Sequence, residues 1–516
     1  MTDVLFGQAY FLRFDPKLWA AQQPYAPLGA LYAAAHTRQQ GYDVALFDAM
    51  LATSEAEWAD ALDRYRPRFA VIYEDSFNYL SKMCLLRMRQ AALTMIDSAR
   101  RRGLTTIVAG SDASDHPARY LDCGAAIVVA GEGEVTLVEV LDVLTGRSTK
   151  PLTDLEGVCV RDARGGVRCT ARRASVRDLD LLPFPAWDLV DVPRYRDIWL
   201  RRHGYHSMNL VTTRGCPYHC NWCAKPIYGQ RYAVRSPARV VEEMLWLKRT
   251  YRPDHLWIAD DIFGLKPGWI EQFAALVRER DAATRFKCLL RADQVTPAVV
   301  RALAAAGCRT AWMGAESGSQ RTLDAMEKGT RVEQIFDATQ RLHEAGIEVG
   351  FFLQFGYPGE TRGDIEKTRR MVRDCRPEDI GISVSYPLPG TPFYERVKAQ
   401  LGDKQNWRDS DDLAVMYRAT YEPGFYRVLY SLVHSEFRAR KSAEAVGRAL
   451  RRPWTLRRRH ARESVKFAYH RLKTLWLEWR LSRLERPGTS PAPLLVPVLS
   501  PQAAAAPTDQ ASLESS

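Results

Sequence analysis

Short apolar runs alternate with amphipathic stretches through most of the chain. In the first third, apolar runs at 4–6, 44–47, 69–73, 105–109 and 126–129 read as strands. Between them, 28–40, 55–65, 84–101, 117–122 and 134–144 carry helical periodicity. This rhythm predicts an α/β unit over residues 1–145, a parallel sheet with helices on both faces and ligands at the carboxyl ends of its strands. The rhythm resumes over 207–395. Strands are predicted there at 208–212, 255–259, 286–290, 310–314, 347–354 and 380–386, and helices at 237–250, 267–280, 296–306, 319–327, 332–345 and 361–374. Six βα units in series suit a parallel barrel, whose site also lies where the strands end.

The stretches outside these blocks read differently. Within 146–206, residues 157–162 and 166–170 alternate around Ala163-Arg164-Gly165 as a hairpin. The following DLDLLPFPAWDLVDVPRY (178–195), with three prolines, reads as an extended strap between domains. Beyond 395, TYEPGFYRVLYSLVH (420–434) is an aromatic helical stretch able to close over the barrel mouth. The whole of 396–486 reads as a helical extension, and 487–516, rich in Pro, Ala and Ser, reads as a disordered tail.

Size and composition narrow the class. A chain of 516 residues holds two or three domains, and 46% apolar with 26% charged residues is the balance of a soluble globular protein. No apolar run approaches the roughly 18 residues of a membrane span, and the N-terminus MTDVLFGQAY carries no signal-peptide pattern. Three of the ten cysteines sit on one short loop. The others, at 84, 123, 159, 169, 288, 308 and 375, are scattered, which predicts reduced thiols in a cytoplasm rather than a disulfide framework. The net charge of +12 is concentrated in 437–486, which holds 16 Lys/Arg against 4 Asp/Glu and includes Trp454, Trp476 and Trp479. Such a helix can dock on the barrel with a solvated basic face, contact an anionic membrane surface, or grip an acidic partner. No recognised RNA-binding module accompanies the charge, so nucleic acid is not expected.

The densest chemistry is TRGCPYHCNWCAKPIYGQRY (213–232), directly after a predicted strand. Cys216, Cys220 and Cys223 form a CxxxCxxC spacing. Three thiolates on one loop can grip one face of a 4Fe–4S cluster and leave one iron open, since such a cluster normally takes four protein thiolates. A structural zinc site wants two close ligand pairs, and no second close cysteine pair exists; His203, His206 and His219 lie nearby. At this loop the sequence resembles the radical S-adenosylmethionine (SAM) superfamily, in which the open iron chelates SAM. The resemblance implies a partial (β/α)6 barrel with Trp222 as an aromatic wall beside that iron.

The block order extends the resemblance to the subfamily in which a Rossmann-like cobalamin-binding domain precedes the radical SAM core, a layout carried here by roughly residues 1–395. Three loops would then hold cobalamin: PYAPLG (24–29), with Pro27, Leu28 and Gly29; GSDASDHP (110–117), with Gly110 and Ser111; and GEGE (131–134), with Gly131, Glu132 and Gly133. Glycine at these strand ends would let backbone approach a bulky ligand. The DxHxxG motif of some cobalamin proteins is absent, His116 standing in SDHPAR. In the core, Asp260 and Asp261 would meet the SAM amino group, with a helix N-cap as the competing role for one of them. Arg291, beside Asp293, would take the SAM carboxylate or form a plain ion pair. Glu316 and Ser317 in GAESGS (314–319) would bind the ribose, and Gly356 in QFGYPGET (354–361) would lie against the adenine. The loop SYPLPGTP (385–392) resembles a further family signature.

The implied reaction begins with reductive cleavage of SAM, which needs a reductant such as flavodoxin or ferredoxin. A substrate hydrogen is then removed, and cobalamin supplies a methyl group to an unactivated carbon of a small-molecule or lipid-like substrate. The main rival is an oxidative or cyclising reaction like that of the anaerobic magnesium-protoporphyrin monomethyl ester cyclase. A methylthiotransferase fits less well for want of a second cysteine triad, and a non-enzymatic iron–sulfur scaffold would not need the acidic and Gly-rich strand ends. The expected location is cytoplasmic, with the basic extension able to touch the inner membrane surface.

Overall fold

The computed structural model describes residues 2–83, 85–223, 227–451 and 458–485. Its first sheet has seven strands: β1 (Val4–Gly7), β2 (Val44–Phe47), β3 (Phe69–Tyr73), β4 (Thr105–Ala109), β5 (Ile127–Val129), β6 (Val158–Arg161) and β7 (Val167–Cys169), ordered β2-β1-β3-β4-β5-β6-β7. Strands β1 to β5 are parallel and buried along nearly their whole length, because helices such as Leu28–Gln39 and Leu86–Arg101 cover the sheet. The predicted strands and helices of residues 1–145 all appear, within a few residues of their expected ends.

The region between the two blocks corrects the reading in two places. The hairpin β6–β7 does not stand in a linker; β6 pairs antiparallel with β5 and completes the first sheet. Its register sets Cys159 opposite Cys169 with Cα atoms 4.0 Å apart, and the two form a disulfide. The expectation of uniformly reduced thiols therefore fails for this pair, since cross-strand register is not visible in cysteine spacing. Residue 84 lies outside the described residues. The second correction is a helix, Val192–His203, in place of the end of the strap and the residues after it. Asp191 caps it by accepting from the Arg194 N–H, and Pro193 sits in its first turn, where a proline costs no hydrogen bond. In the sequence that proline is one of the three that make 178–195 read as an extended strap. Trp199 on this helix is fully buried and donates to the Pro24 carbonyl at 2.8 Å, fixing the PYAPLG loop.

The second sheet is a curled, all-parallel half-barrel of six strands: β8 (Ser207–Leu210), β11 (His255–Ile258), β12 (Arg285–Leu290), β13 (Cys308–Glu316), β14 (Glu348–Phe355) and β15 (Asp379–Val384), ordered β15-β14-β13-β12-β11-β8. A small antiparallel pair, β9 (Thr213–Arg214) and β10 (Ala233–Val234), brackets the cysteine loop. Strand residues alternate as period-two geometry requires. Leu256, Ile258, Phe286, Cys288 and Leu290 are buried beneath the outer helices, and Trp257, Leu289 and Trp312 on the other face are only partly so.

The extension forms two long helices, Pro423–Leu450 and Arg458–Leu484, packed antiparallel; Ser442 donates to Glu463, and Ser435 stands 3.5 Å from His470 Nδ1. Arg369, on the barrel helix Arg362–Cys375, is nearly buried and pairs with Glu366, Glu436 and Glu478, so both extension helices are fastened to the core through one guanidinium. No helix among the described residues is long and apolar enough to cross a membrane. Trp454 and the tail 487–516 lie outside the described residues. Removing the shared cation in Arg369→Ala is expected to cost about 2 kcal/mol of local stability. Hydrogen exchange should quicken along Arg458–Leu484 and leave β11 to β14 unchanged.

Candidate functional site

The cysteine loop leaves β9 through Gly215, at φ +78°, where a Cβ would lie 2.3 Å from the Arg231 carbonyl oxygen; a side chain there would break the turn. Cys216 and Cys220 are buried, Cys223 is partly exposed, and none of the three is in a disulfide. Asn221 anchors the loop between them. Its N–H donates to the Met326 carbonyl at 3.1 Å, its side-chain amide donates to the Ala325 carbonyl at 2.8 Å, and its carbonyl accepts from the Phe393 N–H at 2.9 Å. Tyr357 adds a bond to the Asn221 Oδ1 at 3.1 Å. Trp222 packs beside the apolar cluster of Met326, Tyr357 and Phe393, and its buried indole N–H has no partner.

Two cations stand against this loop. Arg291 stacks on Tyr218 at 3.5 Å, brings Nη1 within 4.0 Å of the Cys220 sulfur, and is held by Asp293 and the Lys328 carbonyl, both at 3.0 Å. Lys328 pairs with Glu316 at 2.9 Å. Burial pulls the Lys328 pKa down, but Glu316 and Cys220 more than offset it and the group ends raised. Among the described residues no three His, Cys, Asp or Glu side chains stand together as a ready-made metal site. The fit to an iron–sulfur cluster rests instead on donor chemistry: three thiols on one anchored loop, with two cations able to balance negative charge.

The other strand ends divide between residues facing this loop and residues that build it. Both Asp260 oxygens are engaged: Oδ1 accepts from the Thr212 and Thr213 N–H groups at 2.6 and 3.1 Å, and Oδ2 from the Thr212 hydroxyl. Asp260 thus holds the turn into β9, and burial pushes its pKa up to about 7 against those hydrogen bonds. Asp261 pairs at 2.6 Å with Lys82, from the first unit. Glu316 has a left-handed backbone, φ +56°, at a bulge in the β13–β14 pairing, which turns its carboxylate to Lys328. Ser317 is fully buried, 3.1 Å from the Thr368 hydroxyl. Gly356 donates to Glu360 at 2.7 Å and accepts from the Tyr417 hydroxyl at 2.6 Å. Glu360, fully buried with Oε1 unpartnered, is pushed by burial up to about 8.

In the first unit, close approach explains most of the strand-end glycines. A Cβ on Gly110 would lie 2.6 Å from the Glu74 side chain, and one on Gly133 would lie 2.9 Å from the Tyr73 hydroxyl. Gly29, after Pro27 and Leu28, donates to Asp75 at 3.1 Å. Gly131 differs: nothing lies within 4 Å of the position its Cβ would take, and its N–H donates to Ser114, which also binds the Gly110 carbonyl. Ser111 is buried at the start of the short helix Ser111–Asp115. Beside these loops a small cleft opens between the two units, walled by Lys82, Asp112, Asp115 and His116 on one side and by Pro387, Leu388 and Tyr394 on the other.

The units are joined by a residue that the sequence did not single out. Arg214, the last residue of β9, is buried and bridges Glu132 and, at 2.7 Å, Glu134 in the GEGE loop. Tyr228 lies 5.3 Å and Tyr32 5.6 Å from its guanidinium. Burial raises the Glu132 pKa against the pull of Arg214. Glu132 also accepts from the Val176 N–H at 2.8 Å. Tyr79 and Lys82, on the short helix Tyr79–Met83, both sense the charge of Cys223, and Tyr79 that of Glu316 as well. The only sequence signal for Arg214 was its place next to the glycine and first cysteine, and for Asn221 its place between the second and third cysteines; Lys82 and Lys328 had none.

Residues 210–372 match the Radical SAM superfamily model, and residues 20–141 match the B12 binding domain model. An uncharacterized methyltransferase of Pyrococcus horikoshii is 29% identical over 54% of this chain and 60% of its own length. The anaerobic magnesium-protoporphyrin IX monomethyl ester cyclase of Rubrivivax gelatinosus is 26% identical over 54% of this chain and 49% of its own. The chain thus spans between half and three-fifths of these curated relatives. The structure of the cobalamin-dependent S-adenosylmethionine radical enzyme OxsB, with aqua-cobalamin and S-adenosylmethionine bound, shares the fold at 16% identity, with a TM-score of 0.71 over 94% of this chain and 73% of that one.

Arg214→Ala would leave two buried carboxylates without their cation and is expected to cost about 3–5 kcal/mol, read from urea unfolding. Asp260 generates a pH dependence. Its folded pKa of about 7 lies above the ordinary 3.8, so the folded state holds the extra proton between those values and this group erodes stability as pH rises from about 4 to about 7. Asp260→Asn removes that slope. Relative to wild type, the variant should gain about 2 kcal/mol between pH 5 and pH 8 in the same assay.

Proposed function

We propose that this chain, which joins a B12 binding domain to a radical SAM core, is a cobalamin-dependent radical SAM enzyme that methylates an unactivated carbon of a small-molecule or lipid-like substrate. The observation that carries the reading is the placement of the three-thiol loop directly against the first unit, fastened there by Arg214. When bound, a 4Fe–4S cluster and SAM supply a carbon-centred radical, and cobalamin supplies a methyl group.

The chain's own residues position and shield. Cys216, Cys220 and Cys223 would hold the cluster, with Asn221 keeping them in one frame and Trp222 walling one side. Arg291 and Lys328 are the cations that can receive the SAM carboxylate, each already oriented by a carboxylate, Asp293 or Glu316. Glu316 retains the ribose role, with Ser317 supporting it from behind, and Gly356 the adenine contact. Asp261, rather than the fully engaged Asp260, is the carboxylate open to exchange, because Lys82 comes from the other unit. Cobalamin would lie between the carboxyl ends of β1 to β5 and the half-barrel, against Gly131 and the cleft beside His116. The electron comes from a small reductant protein of the flavodoxin or ferredoxin kind, and the enzyme works in the cytoplasm.

A second reading, an oxidative cyclisation, is favoured by the likeness to the Rubrivivax gelatinosus cyclase. Anaerobic purification with cobalamin supplied, followed by metal analysis and product detection, separates the two. About four irons and about one cobalt per chain are expected, together with 5′-deoxyadenosine formation under strong reductant. Replacing Cys216, Cys220 and Cys223 together by Ala should remove the iron and stop SAM cleavage. Iron without cobalt would sink the methylation and favour the oxidative reaction; no SAM cleavage by the iron-loaded protein would sink both.

A further inference from the structure

The last helix, Arg458–Leu484, presents two apolar faces, and packing on the neighbouring extension helix uses one. Thr474, Leu477 and Leu481 are buried against Pro423–Leu450. On the opposite side Val465, Tyr469, Leu472, Leu475, Trp476 and Trp479 fall within one arc of about 120° at 3.6 residues per turn, and all are exposed, Leu472 at 69% and the two tryptophans at 50% and 51%. A contiguous aromatic face of this size on a folded protein marks a contact surface.

The charge around that face identifies what it contacts. Arg462, Lys466, Lys473 and Arg480 flank it along one edge and Arg471 along the other, with Arg483 in line with the tryptophans. Three cations lie over its rings: Arg483 over Trp479 at 4.0 Å, Arg480 over Trp476 at 5.1 Å and Lys473 over Tyr469 at 5.8 Å. The acids of the helix point the other way. Glu478 is held by Arg362 and Arg369, and Glu463 by Ser442 and Lys466. We infer that this face docks in the plane of an anionic lipid surface, with its rings at the headgroup boundary and its cations on lipid phosphates. A second copy of the chain suits the face poorly, since a two-fold contact would set the same arginines against one another. The helix is fixed to the core through Arg369, so docking would set the half-barrel at a fixed angle to the membrane.

The test is cosedimentation of the full chain with vesicles of phosphatidylcholine alone or mixed with phosphatidylglycerol. Binding is expected only to the mixed vesicles, weakening as salt rises, with a blue shift of tryptophan emission. Each cation at such a surface is worth about fivefold in affinity, so R480E/R483E should weaken binding at least about thirtyfold. W476A/W479A should weaken it and abolish most of the blue shift. Both variants change exposed side chains, and unaltered circular dichroism verifies that they fold. Equal binding to both vesicle types, or unchanged binding by both variants, would overturn the proposal. So would failure to bind vesicles together with self-association, or capture of an acidic protein or nucleic acid, that R480E/R483E abolishes.

Discussion

A buried guanidinium shared with two carboxylates ties the two halves of this molecule together at the cysteine loop. Arg214 ends the short strand that launches the cysteine loop, and both its partners, Glu132 and Glu134, belong to a loop at the carboxyl edge of the other sheet. Burial opposes every charge in the trio, and only their mutual pairing makes the arrangement tolerable. Apolar residues of similar shape could hold the units together as tightly. What the ion pairs add is direction, since a bidentate cation fixes the angle and register at which loop and sheet edge face each other.

The loop itself is built by the same logic. Asp260 gathers the N–H groups of Thr212 and Thr213 just before Arg214, and Asn221 ties the middle of the loop to the segment after Gln320–Ala325 and to Phe393. Arg291 and Lys328 complete a ring of charge around it. Asp260 and Ser317, expected as ligands from their place at strand ends, are both engaged by the protein's own groups, Asp260 by Thr212 and Thr213 and Ser317 by the Thr368 hydroxyl. Residues that approach the cysteines, Lys328 and the cross-unit pair Tyr79 and Lys82, come from positions with no motif around them. The glycines of the first unit teach a similar lesson: Gly110 and Gly133 are small because Glu74 and Tyr73 lie against them, and Gly131 alone of the three faces open space.

The C-terminal helices complete the architecture without entering the sheets. Their attachment runs through Arg369 and the acids Glu436 and Glu478, which takes the negative charge of the last helix inward and leaves its cations and rings outside. Of the roles that the basic composition left open, docking on the barrel is met, and the docked helix still carries a second face suited to lipid.

Much of this was legible in the chain. Strands of Val, Ile and Phe buried on both faces give uninterrupted apolar runs, and helices packed on one side give a period of 3.6, so both α/β units and nearly every element could be read directly. The CxxxCxxC loop was equally plain, because its donors are neighbours in sequence. The helix Val192–His203 was hidden by a proline that is harmless in a first turn, and the Cys159–Cys169 disulfide by a register that spacing does not encode. The clamp of Arg214 on Glu132 and Glu134 spans about 80 residues. Local pattern records which face of an element is apolar, whereas the partner of a buried charge is fixed only when distant elements pack and water is excluded, and that is where the tertiary structure decided the site.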